Sequence, residues 1–565
     1  RHIETANKNR LALIWEGEPG VARKFTYYEL YREVNRFAGA LKRLGVGKRD
    51  RVVLYMPSLP ETVIAMLAAV KIGAVHTNVY AGFSAKALAE RVRAAQAVCV
   101  VTVDGFYRNG KVVRLKDNVD KALAMDGCER VSSCVVVHRA SVEMSMHAGR
   151  DHWYEDLVRA ERPECPTEVM NSEDMLFLLY TSGTTGRPKG IVHSHGGYMV
   201  GVHRTLTQVF DIKDTDIFWC TADLGWVTGH SAAVYGPLMA GTTTLIYEGH
   251  PNYPQADRVW NIIAKYGVTV FYTVPTLIRM LMRFGPGFLK GHDLSTLRLL
   301  GTVGEPISPE AWVWFHKNVG RSACPVLDTW WQTETGMFMI SPLPVCLLKP
   351  GSVARPLPGV SMDVVDERGR AVPPGQGGYL VATAPWPAMM TGVFRDEERY
   401  REFFEQIPGC YVAGDVARKD ENGFFWIQGR ADDVLNIAGH RVGTAELEGA
   451  FAAHPAVAEA AVIGVPDEIR GEAAKGYVVL RHGHAPGEAL RDELVAHIRD
   501  ELGPVAVIAD VEFREGLPRT RSGKILRRVL KAETLGQDPG DLSVLEDGDP
   551  KADPAVDPMG ESPAG

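Results

Sequence analysis

The sequence predicts an α/β protein: a large N-terminal domain of parallel or mixed sheets covered by helices, and a smaller α/β unit after about residue 430. Three observations predict it. Strand-length runs of apolar and β-branched residues alternate with helical segments, the rhythm that helix-covered parallel sheets produce. One such run feeds a loop rich in Gly, Ser and Thr. Beyond residue 430 the pattern closes into a self-contained succession of helix, two strands and helix, long enough for a small domain.

Taken in order, Leu59 to Gly73 reads as a buried helix, because Pro60 suits a first turn and Gly73 a stop. Val98 to Val103 reads as a short buried strand. Met175 to Tyr180 is a strand leading into the glycine-rich loop, and in Val268 to Val274 β-branched and aromatic residues precede Pro275. In the smaller unit Leu447, Ala450, Phe451 and His454 share one helical face, and Ala460 to Val465 and Gly476 to Leu480 read as strands. Leu490, Leu494, Ile498 and Leu502 then recur every four residues until Gly503-Pro504 ends the helix. The expected domains are 1–430 and 431–535. Residues 536–565, rich in Asp, Pro and Gly, are expected to form a disordered tail that cannot offset its ordering entropy.

Composition narrows the class of function. With 565 residues, 45% of them hydrophobic and 23% charged, and a mean hydropathy of −0.09, the chain matches an ordinary globular protein with a sizeable core. Its 62 Lys and Arg against 69 Asp and Glu leave a formal charge of −7, so nothing favours a polyanion and nucleic acid is not an expected partner. No uninterrupted apolar run reaches the roughly 18 residues of a membrane helix; Thr62 to Val75 is broken by Lys71. The eight cysteines lie far apart without a CxxC pair, so a reducing, cytoplasmic setting and no membrane are expected.

The loop Thr181-Ser182-Gly183-Thr184-Thr185-Gly186-Arg187-Pro188-Lys189-Gly190 carries the most chemistry. Its glycines let the backbone approach a polyphosphate, its hydroxyls and amides can donate to phosphate oxygens, and Lys189 supplies countercharge. It is not a Walker A loop, since Pro188 stands where the Gly-Lys-Ser/Thr triplet would form. Further along come Trp331-Gln332-Thr333-Glu334-Thr335-Gly336, Tyr411-Val412-Ala413-Gly414-Asp415, Gly429-Arg430-Ala431-Asp432-Asp433 and Arg519-Thr520-Arg521-Ser522-Gly523-Lys524. Taken singly, each has a plain structural reading. Asp415 is a turn residue, Asp432-Asp433 a solvated pair, Trp330 and Trp331 core aromatics, and Lys524 a solvated turn lysine.

Jointly and in this order, the five segments resemble the motifs of the adenylate-forming enzymes, which include acyl-CoA synthetases, luciferases and peptide-synthetase adenylation domains. Longer stretches, Thr221 to His230, Val303-Gly304-Glu305-Pro306 and Asp328-Thr329-Trp330-Trp331-Gln332, narrow the resemblance to the branch that ligates acetate to CoA. Arg1-His2 resembles the end of that branch's Asp-Arg-His signature, so a further segment is expected upstream. Met337-Phe338 and the apolar Val345 to Leu348 depart from the branch, which has smaller residues there, and leave the size of the acid open.

The resemblance implies a fold with a mobile C-terminal domain that turns about a hinge at Asp432, with catalysis between the domains. It implies that a carboxylate attacks the α-phosphorus of ATP, that pyrophosphate leaves, and that CoA takes the acyl group from the adenylate. Both first reactants are anions, so cations and fixed donors are required. It assigns Lys524 as the catalytic cation between them. ATP or AMP would rest on Thr181 to Gly186, Lys189, Gly304, Glu305, Pro306, Asp328, Thr329, Trp330, Gln332, Thr333, Asp415, Arg430 and Arg441, with Mg²⁺ on Glu334. The acyl pocket would be Trp226, Val227, Thr228, Val303 and Trp331. Gly439, Arg499, Arg108 and Arg114 would meet CoA, the last two being otherwise solvated surface cations. His230 is expected to be a packed histidine, since the acid arrives already ionised. Lysine acetyltransferases and deacetylases acting on Lys524 are implied partners. Open alternatives are propionate or 3-hydroxypropionate as the acid, a non-catalytic nucleotide-binding relative, and a carrier-loading domain.

Overall fold

The strand-forming runs of the N-terminal part build two large sheets. The structure is a computed structural model that describes residues 1–181, 188–431, 435–437, 440–467, 471–502, 507–519 and 525–539. The chain separates into two compact units, Arg1–Asp432 and Asp433–Gly565.

In the larger unit a seven-stranded sheet has the order Val326–Thr329, Leu299–Val303, Val270–Thr273, Ile217–Cys220, Thr243–Glu248, Leu11–Gly17, Ala22–Thr26. All its pairings are parallel except the last, where Ala22–Thr26 returns at the edge. Trp219 and Phe271 from its strands pack with Trp260, Ile278 and Phe315 from the helices and turns that follow them, in one continuous core. A second, eight-stranded sheet runs Gly392–Val393, Lys189–Ser194, Met175–Thr181, Val75–Tyr80, Arg51–Met56, Cys99–Val103, Ser133–Val137, Asp151–Trp153. Its middle strand Val75–Tyr80 is buried along its whole length, as a strand covered on both faces must be. The buried helix expected at Leu59 to Gly73 spans Pro60–Lys71 with Pro60 in its first turn, and the expected strands become Cys99–Val103, Met175–Thr181 and Val270–Thr273. The structure adds a four-stranded antiparallel sheet, Met362–Val365, Gly377–Ala382, Tyr411–Lys419 and Phe425–Arg430.

In the smaller unit Val457–Asp467 and Gly471–Leu480 pair antiparallel, and Ile508–Phe513 adds a parallel neighbour. Leu447 and Phe451 of helix Thr444–Ala453 and Leu494 and Ile498 of helix Glu488–Leu502 bury against one face of this sheet. Leu530, from helix Arg527–Leu535, joins Tyr477 and Ile463 in a separate cluster. The tail beyond residue 539 lies outside the described residues. Among the described residues no helix is long and apolar enough to cross a membrane.

A buried ion network ties the Asp151–Trp153 edge of the eight-stranded sheet to helix Leu115–Leu123. The Lys116 ammonium, fully buried, lies 2.7 Å from Asp120 and 2.8 Å from Asp151, and Arg150 reaches both carboxylates at 2.6 Å. Asp120, His147 and Asp151 hold ligand atoms within 4.8 Å of one another, but Lys116 and Arg150 already supply the positive charge. Burial pushes the Asp151 carboxyl up; Arg150 and Lys116 outweigh it and bring it to about 2. A depressed carboxyl stabilises the fold above its unfolded value near 4, and the contribution is lost as pH falls through about 2. Asp151→Asn should therefore cost about 3 kcal/mol at pH 7 by leaving Lys116 under-compensated. Urea denaturation at pH 7 and at pH 3 would check this: the gap between variant and wild type should narrow in acid, and an equal gap at both values would exclude the network as its cause.

Candidate active site

The site is built on the edge where the parallel strands end. In the seven-stranded sheet Cys220 pairs with Tyr272, Thr273 with Thr302, and Val303 with Thr329, so neighbouring strands finish level. The Thr221 and Thr273 hydroxyls bridge at 2.7 Å at two of those ends. The segments Thr221 to His230, Gly304 to Pro306 and Trp330 to Gly336 consequently leave from one edge, the crevice where open α/β sheets bind ligands. Val303 and Trp331 are both buried there. Val227, also buried, and Thr228 lie on the segment leaving the next strand but one, ahead of the π-helical turn Gly229–Tyr235. Trp226 packs on Tyr80 and Phe83, with ring centroids 5.8 and 6.3 Å apart.

Asp415 is a hub. Its Oδ2 accepts from Trp330 Nε1 at 3.0 Å and from Gln332 Nε2 at 2.9 Å, while the Arg430 guanidinium lies 3.6 Å from Oδ1 on the paired strand. The same Gln332 amide donates to the Ala413 carbonyl at 2.8 Å, and its oxygen accepts from the Tyr411 hydroxyl at 2.7 Å. Five side chains from three sequence motifs thus lock the antiparallel sheet onto the Trp330 to Gly336 loop.

The rest of that loop is fastened by backbone carbonyls. His193 Nε2 donates to Thr333 O at 2.7 Å, Trp386 Nε1 to Thr335 O at 2.8 Å, and Met390 N to Glu334 O at 3.0 Å. Gly336 has φ +67°, and a Cβ there would fall 2.6 Å from the Ala388 carbonyl and 2.7 Å from the His193 ring, so only glycine fits. Within this frame burial raises the Glu334 carboxyl, opposed by its own backbone amide, Arg430 and Lys189. No other residue donates to this carboxylate among the hydrogen bonds of the described residues. A half-buried carboxylate that no side-chain donor occupies offers the hard oxygen ligands that a divalent cation such as Mg²⁺ takes. Thr181 and Lys189 pair at the mouth of the phosphate loop, and Lys189 Nζ lies 5.0 Å over the Phe403 ring.

Other candidates are engaged in holding the site together. The Glu305 carboxylate accepts from Thr276 N at 2.6 Å, from the Thr276 hydroxyl and from Arg279 at 3.0 Å, capping helix Pro275–Arg283. Burial would raise it, but Arg279 and Thr276 pull it below the usual range. Asp328 accepts from Thr302 Oγ1 at 2.7 Å, and burial pushes its carboxyl up to about 7, Thr302 opposing. His230 donates Nδ1–H to Trp226 O at 2.9 Å, and burial lowers it to about 4, so it is a neutral packed histidine, as expected from the sequence.

Arg108 and Lys111 face each other across a hairpin whose turn residues Asn109 and Gly110 have φ +53° and +71°, the geometry of a type I′ turn. Both turn amides donate to Glu18 at 2.8 Å. Arg114 instead pairs with Asp117 at 2.6 Å and donates to the Glu143 carbonyl. Lys111, exposed opposite Arg108, is a cation that sequence reasoning did not assign. Arg499 is exposed on helix Glu488–Leu502, and Arg441 belongs to strand His440–Val442. Ser182, Gly183, Thr184, Thr185, Gly186, Asp432, Gly439 and Lys524 lie outside the described residues.

The level edge of a parallel sheet, beside the Asp415 hub, is the setting of a ligand-binding α/β enzyme, and the chain belongs to the AMP-binding enzyme family. The family model for AMP-binding enzymes matches residues 1–394, and that for the AMP-binding enzyme C-terminal domain matches residues 446–524. Among curated relatives, an acetyl-coenzyme A synthetase of Methanothrix thermoacetophila is 51% identical over 551 residues, covering 96% of this chain and 83% of the relative. One from Pyrobaculum arsenaticum is 53% identical over 562 residues, covering 97% and 84%. One from Chlorobaculum tepidum is 49% identical over 549 residues, covering 97% and 83%. Among solved structures, an acetoacetyl-CoA synthetase from Streptomyces lividans superposes with a TM-score of 0.86 at 28% identity, covering 97% of this chain and 83% of that one.

The hub makes a direct prediction. Asp415→Ala removes the acceptor of the buried Trp330 N–H and the part-buried Gln332 amide, and the partner of Arg430, at a cost of about 2 kcal/mol. Both the thermal midpoint and the ATP affinity, read by calorimetry, should fall, with Asp415→Asn intermediate. An unchanged midpoint in the alanine variant would show that the loop is held without Asp415.

Proposed function

We propose that the chain is an ATP-dependent acetate:CoA ligase that forms acetyl-CoA, AMP and pyrophosphate through an acetyl-adenylate. The observation that carries the reading is the match, near half identity and over almost the whole chain, to relatives named acetyl-coenzyme A synthetase. The buried Trp331 at the sheet edge supports a small acid over a long one. In the first half-reaction an acetate oxygen bonds to the α-phosphorus as the α–β bridging P–O bond breaks, and the electron pair leaves on pyrophosphate. In the second the CoA sulfur bonds to the acyl carbon and AMP departs with the former acetate oxygen.

Each chain residue then has a role. The Thr181 to Lys189 loop holds the β and γ phosphates, and the Gly304 to Pro306 backbone, Asp328 to Trp330, Gln332 and Thr333 form the nucleotide wall. Asp415 and Arg430 take the ribose, and Arg441 the α-phosphate. Glu334 would hold Mg²⁺, which would supply positive charge to offset that of the phosphates. Lys524 supplies the cation where the two anions meet. Trp226, Val227, Thr228, Val303 and Trp331 enclose the acyl group. Gly439 leaves room for pantetheine, Arg499 and Arg108 take CoA phosphates, and Lys111 stands in for the ion-paired Arg114. Asp432 is the hinge between the two half-reactions. Acetylation of Lys524 would remove its charge and stop the first step. The reading includes a reducing, cytoplasmic setting, in keeping with eight unpaired cysteines.

Two measurements test this. CoA-dependent AMP formation across acetate, propionate, butyrate and 3-hydroxypropionate should rank acetate first, and a different leading acid would reassign the substrate while leaving the chemistry. Lys524→Ala should cut acetate-dependent pyrophosphate exchange by about a hundredfold or more yet largely spare thioester formation from supplied acetyl-adenylate. Equal loss in both half-reactions would remove Lys524 from its role, and no exchange in the wild type would favour a non-catalytic nucleotide binder.

A further inference from the structure

Tyr272 sits at the C-terminal end of strand Val270–Thr273, between strands Ile217–Cys220 and Leu299–Val303, and is fully buried. A phenol hydroxyl in such a place is costly unless every bond it can make is made. Here they are made in series. Trp331 Nε1 donates to Tyr272 Oη at 3.3 Å, Tyr272 Oη lies 2.7 Å from Thr329 Oγ1, and Thr329 Oγ1 donates to the Thr302 carbonyl at 3.0 Å. The direction is fixed by the two ends, because an indole N–H can only donate and a carbonyl can only accept. The phenol therefore accepts from the indole and donates to Thr329, and the relay terminates on the backbone of the neighbouring strand. Burial raises the phenol well above its usual range, with Thr329 opposing, so it keeps the proton it donates.

The surrounding rings hold the same unit from behind. Phe338 meets Trp331 edge-on with centroids 5.3 Å apart, and lies 6.0 Å from Tyr272 and 5.9 Å from Phe210. Gly301, paired with Tyr272, makes room: a Cβ there would fall 2.7 Å from both the Tyr272 and Phe210 rings. Ring packing alone permits an indole to slide along the apolar faces, whereas a hydrogen bond at its nitrogen fixes its depth.

We infer that Tyr272 is a positioning residue for acyl selection, whose hydroxyl holds the Trp331 indole at the depth that shuts out longer acids. The inference rests on the reading of Trp331 as the acyl wall. A wall that is present but loose excludes poorly, because a sub-ångström retreat is enough to admit part of a methylene and to misplace the carboxylate.

The test is a cycle in the full-length enzyme. CoA-dependent AMP formation with acetate and with butyrate would be measured for wild type, Tyr272→Phe, Trp331→Phe, the double variant and Trp331→Gly. Tyr272→Phe should lower the acetate-to-butyrate ratio of kcat/KM about fivefold, the size expected for one lost hydrogen bond, chiefly through a lower KM for butyrate. In the Trp331→Phe background, which has a ring but no N–H to donate, the same change should leave the ratio untouched. An unaltered ratio in Tyr272→Phe, or an equal shift in both backgrounds, would make Tyr272 a sheet residue only and overturn the inference. If Trp331→Gly keeps the wild-type ranking, the acyl-wall reading fails and the inference with it; a ranking changed there but not in Tyr272→Phe overturns the inference alone. Should Tyr272→Phe fold poorly, Thr329→Val cuts the relay one bond further on. It must move the ratio the same way, and a fixed ratio there also overturns the inference.

Discussion

The parallel register of the seven-stranded sheet is the constraint on which the site depends. Because Val303 pairs with Thr329, Thr273 with Thr302, and Cys220 with Tyr272, four consecutive strands end level and their outgoing segments share one crevice. Side chains alternate along a strand with a period of two, so a slip of one residue would turn every side chain to the opposite face. Tyr272 would lose Thr329, and the Thr221 and Thr273 hydroxyls would part. The helices that follow these strands, with Trp260, Ile278 and Phe315 buried against them, oppose such a slip by the apolar area it would expose.

Charge at this edge is arranged by the same frame. A site meant for a polyphosphate and a carboxylate should hold few uncompensated anions, yet Glu305, Asp328, Glu334 and Asp415 all stand there. Three are already spent. Glu305 is neutralised by Arg279 at a helix start, Asp415 receives Trp330 and Gln332 beside Arg430, and Asp328 accepts from Thr302 while burial raises its carboxyl. Glu334 remains, without a side-chain donor among the described residues and in the field of Lys189 and Arg430. That asymmetry, rather than the count of carboxylates, is what supports the proposal that Glu334 holds the cation.

Much of the fold was legible because it is local. Pro60 before a buried helix, β-branched residues before Pro275, and the four-residue spacing of Leu490, Leu494 and Ile498 are written within a few residues of the elements they specify. The antiparallel sheet was not legible: its strands carry Gly377, Gly378, Gly414 and Gly429 and alternate weakly. In the site, residue types could be read but partners could not. Nothing near Asp415 announces Trp330, 85 residues away, and nothing near Arg108 distinguishes exposed Lys111 from Arg114, which Asp117 occupies. Tyr272 was invisible for the same reason, since a tyrosine at the end of an apolar strand reads as core until the register sets its hydroxyl beside Thr329 and Trp331.

The departures at Met337 and Phe338 take on a definite meaning in this setting. Read from the sequence, bulk at those positions left the size of the acid open, because a large side chain could either narrow a pocket or replace one of its walls. Phe338 is buried behind the indole, edge-on to Trp331 and packed with Phe210 and Tyr272. It therefore supports Trp331 rather than standing in its place. Failing to reward an extra methylene costs a ligand about 0.8 kcal/mol, or roughly fourfold, whereas forcing one against a wall that cannot yield costs about 1 to 3 kcal/mol. Which of the two regimes holds depends on whether the wall can move. Here a hydrogen-bond relay anchored on the Thr302 carbonyl holds the indole nitrogen and Phe338 meets the indole edge-on, so if Trp331 is the acyl wall as proposed, the rigid regime applies, and selection for a short acid would follow from the support of Trp331 as much as from Trp331 itself.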